Sequence, residues 1–179
     1  MPQPLAVYAS TVAGAQDWTA GTTPVVVTSP FEFWPDLTTT LGIPTGTYLE
    51  IPEYLWNVNP PPNAVDIQVF RRTLTATTGV AFGPTEIPTG AHDFVITHAA
   101  DDFYTLNVYT GQGGTLTLVP PSPVSTDPVS LAWRNVKAYS YTVTGLGEGQ
   151  TIVIETIAKQ LGPYPVNPAM FTWVLQFFS

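Results

Sequence analysis

The chain has 179 residues and contains no cysteine, which excludes disulfides and thiolate metal sites. Thirteen acidic and five basic residues give a formal net charge of −8, and so few cations cannot form a stripe that follows a phosphate backbone. We therefore expect no nucleic-acid partner, although a local contact through the adjacent Arg71 and Arg72 stays open.

Charged residues make up only 10% of the chain, against about 25% in a typical soluble domain. Two interpretations follow. Much of the surface faces other subunits, because charged residues are depleted at the cores of interfaces. Alternatively, the protein has a neutral, threonine-rich surface of the kind found on secreted β proteins.

No stretch approaches the ~18 apolar residues that a transmembrane helix needs. The N-terminus contains an Ala-Gly-Ala that imitates a cleavage site, but it lacks a basic n-region, and Tyr8, Ser10 and Thr11 interrupt its apolar run. We therefore predict that no signal peptide is present and that the protein is made and assembled in the cytoplasm.

Residues 5–12, 25–27, 47–56 and 65–75 are the strand candidates of the first half of the chain. Pro52 has no backbone donor, so the third of these is predicted to be an edge strand or to be bulged. In the fourth, Val65, Ile67 and Val69 lie on one face, and Arg71 and Arg72 come towards its end. A short helical turn is a further candidate over residues 35–41.

Residues 94–97, 103–110 and 115–119 are the next strand candidates, with residues 99–102 joining the first two and a glycine turn at 111–114. In residues 138–144, Tyr139, Tyr141 and Val143 alternate with Ser, Thr and Thr, the period of two of a half-buried strand. Glycines 145, 147 and 149 and a β-branched run follow, so residues 138–157 are predicted to form an antiparallel hairpin. The last strand, residues 171–178, also alternates.

These nine or ten strand candidates, with no convincing amphipathic helix, predict an all-β fold. Long proline-rich loops near residues 60–62 and 120–123 favour the crossing connections of a jelly roll over a simple meander. We therefore predict one domain over residues 1–179, a single jelly-roll-like β-sandwich or barrel.

The densest polar cluster runs from His92 and Asp93 to His98, Asp101 and Asp102. In an extended chain His92 and His98 share a face but lie roughly 20 Å apart, at about 3.3 Å per residue, so one metal ion cannot bridge them unless the chain folds back. A zinc site without cysteine would also need carboxylates from elsewhere, and no calcium-loop pattern is present. We interpret the histidines as loop-end residues that flank a strand, and the two aspartates as turn residues.

Two pairs of carboxylates raise the question of a glycosidase: Glu32 and Asp36 flank Trp34, and Glu50 and Glu53 flank a proline. A glycosidase needs two carboxyl groups about 5 to 9 Å apart across a sugar site, which spacing along one strand does not establish. The sequence has no G-x-S-x-G motif, no P-loop and no cysteine nucleophile. We predict that the protein is not an enzyme and has no catalytic residue, cofactor or metal.

Five tryptophans admit a carbohydrate-binding interpretation, since sugars stack on exposed aromatic rings. Packing in the core or at an interface is the favoured interpretation, because aromatic residues dominate both. The five are Trp18, Trp34, Trp56, Trp133 and Trp173.

The sequence resembles a known family through several features taken together. They are the short N-terminal strand at residues 5–12, the proline loops at 60–62 and 120–123, the glycine turn at 145–149 and the aromatic final strand. The chain resembles the small single-jelly-roll major capsid proteins of icosahedral, membrane-containing bacteriophages, which build a shell from two vertical β-barrel proteins. The resemblance is one of architecture and composition. It implies a capsomer subunit without catalytic residues, made in the host cytoplasm and located in the virion.

The leading hypothesis is therefore a non-catalytic virion structural protein, a capsid subunit that builds a shell by lateral association. Its expected partners are copies of itself, a second capsid protein or both, with an underlying membrane as a further candidate. The alternative is a carbohydrate-binding spike, fibre or decoration domain, and the third hypothesis is a glycoside hydrolase or lyase.

Overall fold

The structure, a computed structural model, describes residues 4–9, 25–27, 34–42, 54–56, 65–126, 136–162 and 170–178. Within these ranges the chain forms one short helix, α1 (Leu37–Leu41), and twelve strands. The strands are β1 (Pro4–Ala9), β2 (Val25–Val26), β3 (Leu55–Trp56), β4 (Asp66–Thr77), β5 (Glu86–Pro88), β6 (Gly90–Asp101), β7 (Phe103–Gln112), β8 (Thr115–Leu118), β9 (Val124–Ser125), β10 (Lys137–Leu146), β11 (Thr151–Gln160) and β12 (Met170–Phe178).

The strands form two sheets. The first has the order β10-β6-β12-β3-β2, and β1 pairs with the C-terminal part of β12. The second has the order β5-β4-β11-β7-β8, and β9 pairs with the N-terminal part of β7. Neighbours are antiparallel except for β4 and β5, which run parallel.

The chain crosses from one sheet to the other between β3 and β4, β5 and β6, β6 and β7, β9 and β10, β10 and β11, and β11 and β12. Repeated crossing between two packed, mainly antiparallel sheets is typical of jelly-roll-like sandwiches. The predicted all-β, jelly-roll-like sandwich is confirmed.

The core lies between the sheets and is rich in aromatic rings. Phe171, Trp173, Leu175 and Phe177 of β12 all face it, as their alternation predicted, whereas Val174 faces the other way and packs with Leu37 of α1. Tyr141 and Val143 of β10 are buried and Tyr139 packs against the core, while Ser140, Thr142 and Thr144 are exposed, as also predicted.

The predicted hairpin over residues 138–157 is wrong. Both strands exist, but β10 pairs with β6 in the first sheet, and β11 pairs with β4 and β7 in the second. The glycine turn carries the chain between sheets and bonds to the end of β4: Gly149 donates to the Ala76 carbonyl (2.8 Å), and Ala76 donates to Gln150 (2.7 Å). The alternation of apolar and polar residues predicted which side chains face the core, but it gave no information on which strands pair.

Two other expectations need correction. Residues 99–101, expected to be a connection, continue β6, which crosses directly into β7. Arg71 and Arg72 lie in the middle of β4, not towards its end. The sequence did not indicate which face of the predicted strand is buried: Val65 and Ile67 point away from the core and are 66% and 55% exposed.

Several predicted elements are confirmed in the described ranges. The short helix near residues 35–41 is α1, and the glycine turn at 111–114 joins β7 to β8. The prediction for Pro52, the proline loop at 60–62 and most of the predicted strand at 47–56 lie outside the described residues. Within the described part of the chain, no helix has the length and hydropathy that a bilayer crossing requires.

Candidate functional site

Both histidines of the polar cluster lie within β6 and are buried, so the interpretation of them as loop-end residues is wrong. His98 Nε2 lies 3.0 Å from the Thr156 hydroxyl of the facing sheet, and its ring packs 4.2 Å from that of Tyr104. Burial lowers the pKa of His98 to about 3, which keeps the ring neutral. His92 Nε2 donates to the Pro88 carbonyl (2.8 Å).

Asp101 and Asp102 lie where β6 crosses into β7. Trp34 Nε1 donates to Asp101 Oδ2 (3.0 Å), and Leu161 N donates to Asp102 Oδ2 (2.7 Å). Burial, with added hydrogen-bonding and charge effects from Asp102, raises the pKa of Asp101 to about 7. The predicted turn role is confirmed for Asp102, the one residue between the two strands.

The histidines and aspartates do not come together as a metal site. Among the described residues, no group of three or more His, Cys, Asp or Glu side chains is placed to hold an ion. Each of these polar groups instead joins elements of the sandwich: His98 joins the two sheets, and Asp101 joins β6 to Trp34, just ahead of α1.

Of the four carboxylates weighed for glycoside hydrolysis, only Asp36 lies in the described residues, and it caps α1. Its Oδ1 accepts from Thr38 N (2.9 Å) and its Oδ2 accepts from the Thr39 hydroxyl (2.7 Å). The Thr39 hydrogen bond is the main cause that lowers the pKa of Asp36. This is an ordinary N-cap. Glu32, Glu50 and Glu53 lie outside the described residues.

Three of the five tryptophans are core residues, as favoured from the sequence. Trp34, Trp56 and Trp173 are each at most 5% exposed, so none of them offers a ring face to a sugar. Trp56 Nε1 donates to Asp66 Oδ2 (3.0 Å) at the start of β4. Trp18 and Trp133 lie outside the described residues.

Arg71 and Arg72 point to opposite faces of the second sheet and do not form a joint phosphate contact. Arg72 faces the core, where it is fully buried, donates to the Pro84 carbonyl (2.7 Å) and lies 5.6 Å from the Trp173 ring centre. Arg71 lies on the outer face and forms an ion pair with Glu155 of β11.

Glu155 is the centre of a polar network on the outer face of the second sheet that the sequence analysis missed. It is only 7% exposed and also accepts from Asn107 Nδ2 (3.0 Å) and from the Tyr109 hydroxyl (3.3 Å). Burial acts to raise the pKa of Glu155, but the hydrogen bonds from Arg71, Asn107 and Tyr109 outweigh it, so the pKa is lowered. A carboxylate within the β-branched run of residues 151–157 was the available signal.

The edge of the second sheet next to this network carries no charge. Residues 103–126, which include β7, β8 and β9, contain no Asp, Glu, Lys or Arg. All four residues of β8 are exposed, and Leu116 and Leu118 are 41% and 44% exposed. The exposed charged side chains of the described residues all lie elsewhere: Asp36, Glu86, Asp93, Lys137 and Glu148.

A cleft of about 460 Å³ opens beside β6 and β10. Phe82, His92, Asp93 and Phe178 are among its lining residues. Phe82 packs on Phe177 with ring centres 4.8 Å apart, and Asp93 accepts from the Thr142 hydroxyl (2.6 Å). The cleft therefore combines aromatic rings with a carboxylate.

Comparisons with known proteins assign no family to the chain. No family model matches it, and no curated protein matches it. It is similar in structure to part of a crystal structure of Podospora anserina GH26-CBM35 β-(1,4)-mannanase, with 13% identity and a TM-score of 0.42 over 98% of this chain and 28% of that chain. Similarity at this level carries no argument about function.

Proposed function

We propose that this protein is a non-catalytic virion structural protein, a capsid subunit that builds a shell by lateral association. Its partners are copies of itself, a second capsid protein or both, and a membrane beneath the shell is a further candidate contact. Nucleic acid is not an expected partner, because the protein is acidic and Arg72, one of its five cations, is buried in the core.

The observation that carries this proposal is the uncharged, exposed edge formed by β8 and the proline loop that follows it. A soluble domain that works alone ordinarily covers its sheet edges with charges, and exposed apolar side chains at an edge favour pairing with another chain. Depletion of charge is also what distinguishes the core of a subunit interface from ordinary surface. The edge thus has the composition of a contact surface.

The internal use of the polar groups also supports a structural role. His98, Asp101 and Asp36 each bond within the fold, and Glu155 and Arg71 satisfy one another. A catalytic group must also be open to a substrate, whereas His98, Asp101 and Glu155 are at most 7% exposed.

Electron microscopy of the concentrated protein tests the proposal. We expect sheets, rings or closed shells at high protein concentration and high salt, since salt strengthens apolar contacts. The variant Leu118→Lys places a charge on the uncharged edge and should prevent assembly, whereas Thr40→Lys, on the exposed side of α1, serves as a control for added charge. Dispersed single particles under every condition would contradict self-association.

A carbohydrate-binding domain is the second candidate, and the cleft between Phe82 and Phe178 favours it. Aromatic rings beside a carboxylate are the groups that hold the apolar face and hydroxyls of a sugar. Calorimetric titration with soluble oligosaccharides tests it. Binding that Phe82→Ala abolishes and Phe103→Ala retains would support this candidate, and the absence of heat with every sugar would remove it.

A further inference from the structure

The strand β8 is an edge strand with one side unoccupied. One side pairs with β7, with Leu116 opposite Gly111 and Leu118 opposite Tyr109, and none of the described strands pairs with the other side. The two strands meet at Gly113 and Gly114, whose φ angles of 58° and 86° are those of a two-residue hairpin turn. The turn therefore fixes the register of β8.

That register decides which backbone groups face the free side. In such a hairpin the residues that flank the turn, Gln112 and Thr115, form a hydrogen-bonded pair, and hydrogen-bonded and non-hydrogen-bonded pairs then alternate. Thr117 therefore also bonds to β7, which agrees with the next bond along, from Val119 N to the Val108 carbonyl (2.9 Å). The N–H and C=O groups of Leu116 and Leu118 point to the free side.

The other edges carry features that block pairing, whereas the four residues of β8 include no charged residue, no proline and no bulge. Charged residues, proline, bulges and very short strands are the usual protections of an edge. On β10 these are Lys137 and a register shift after Val143, and on β5 they are Glu86 and Pro88. The strand β1 contains Pro4 and a register shift, and β2 and β9 have two residues each. Within the described strands, β8 is thus the edge best suited to pair with another chain.

The chemistry of this edge favours a second copy of the same chain as the occupant. Two copies of a protein with a net charge of −8 repel each other, and this repulsion is weakest when they meet through a surface without charges, such as residues 103–126. The sequence Thr-Leu-Thr-Leu is also nearly self-complementary in an antiparallel pair, because apolar side chains then meet on one face and hydroxyls on the other.

We propose that β8 pairs antiparallel with β8 of a second copy, about a two-fold axis through Thr117. Leu116 of each copy then forms a hydrogen-bonded pair with Leu118 of the other, and the two Thr117 residues face each other as a non-hydrogen-bonded pair. This inference rests on the proposed function and names its lateral contact. Because β8 has four residues, the contact is weak alone and acts with others in a lattice.

Disulfide trapping tests the register directly, since the chain has no cysteine of its own. In the proposed pair the two Cα atoms at position 117 lie about 4.5 Å apart, within the range of about 4.4–6.8 Å that a disulfide spans. Thr115→Cys is the matched control, since Thr115 lies on the same strand and is also exposed. Its two copies would lie about 14 Å apart, at about 3.4 Å per residue over an offset of four residues.

Under mild oxidation with copper–phenanthroline, we expect Thr117→Cys to form a covalent dimer roughly tenfold faster than Thr115→Cys, or more, because only the first pair is held in contact. A double variant with Leu116→Pro and Thr117→Cys lacks one N–H on the free side of β8 but keeps the bonds to β7. It should form the covalent dimer no faster than Thr115→Cys. Circular dichroism shows whether each variant folds.

Equal rates for the two cysteine variants would overturn the pairing. If the protein assembles in the microscope but the two rates are equal, the lateral contact lies elsewhere and the shell proposal stands. If the protein stays monomeric and neither variant links, the strand pairing and the self-assembly of this chain into a shell both fail. Rapid linkage at position 117 by a protein that stops at dimers would support the strand pairing and contradict the shell.

Discussion

At the scale of single residues, two buried groups in neighbouring parts of β6 respond to pH in opposite directions. His98 has its pKa lowered from 6.5 to about 3, so it destabilises the fold progressively as pH falls below 6.5. The pKa of Asp101 is raised from 3.8 to about 7. Its stabilising contribution to the free energy of unfolding is therefore fully present below pH 3.8 and is lost as the pH rises through 7. Between about pH 3.8 and 6.5, the effects of His98 and Asp101 on the free energy of unfolding change in opposite directions with pH and offset one another.

Replacing either residue should therefore reveal the pH dependence that the other residue gives to the free energy of unfolding. For Asp101→Asn, we expect the free energy of unfolding to rise with pH between about 4 and 6.5, by at most about 1.4 kcal/mol per pH unit from His98, because the opposing effect of Asp101 is removed. For His98→Gln, it should fall with pH over the same window. Urea unfolding at several pH values, followed by tryptophan fluorescence, measures both slopes. A wild-type slope that neither variant changes would contradict this account.

Glu155 is expected to stabilise the second sheet through its charge. Glu155→Gln keeps the volume but replaces a charged acceptor of bonds from Arg71, Asn107 and Tyr109, and should lower the free energy of unfolding by about 1–3 kcal/mol. Glu148→Gln, at an exposed turn, is the matched control and should change stability much less. Thermal unfolding of the two variants gives the comparison, and equal losses would argue against a special role for the network.

At the scale of elements, the sequence predicted the faces of strands well and their partners poorly. The alternation in β10 and β12 correctly placed Tyr141 and Trp173 towards the core, because burial acts on each residue locally. The pairing of β10 with β6 depends on contacts between residues far apart in the chain, which no local pattern encodes. The predicted hairpin failed for this reason.

The proline loop after β8 is bonded to both sheets through the side chain of one residue, Ser122. Ser122 Oγ accepts from Val108 N of β7 (2.8 Å) and donates to the Tyr141 hydroxyl of β10 (3.3 Å), so it joins the two sheets. We expect Ser122→Ala to lower the free energy of unfolding by about 1–3 kcal/mol, because it leaves the Val108 donor without its partner. Ser125→Ala, which removes an exposed bond to Thr105, is the control. Chemical denaturation of both variants tests this, and no difference between them would contradict it.

At the scale of the whole molecule, composition predicted more than motifs did. The scarcity of charge in the sequence corresponds, in the described part of the chain, to an uncharged exposed edge on one sheet. The histidines and aspartates of the polar cluster do not form a metal site among the described residues, because their spacing along the chain reflects the period of a strand. The Glu155 network could not be predicted, since its members come from β4, β7 and β11.

The central claim, that this protein is a lateral building unit, is tested most directly by sedimentation of the purified chain across protein concentration and salt. We expect reversible dimers and larger assemblies that strengthen as salt rises, because apolar contacts strengthen with salt and repulsion between acidic copies is screened. A strict monomer at every concentration and salt would contradict self-assembly of the chain.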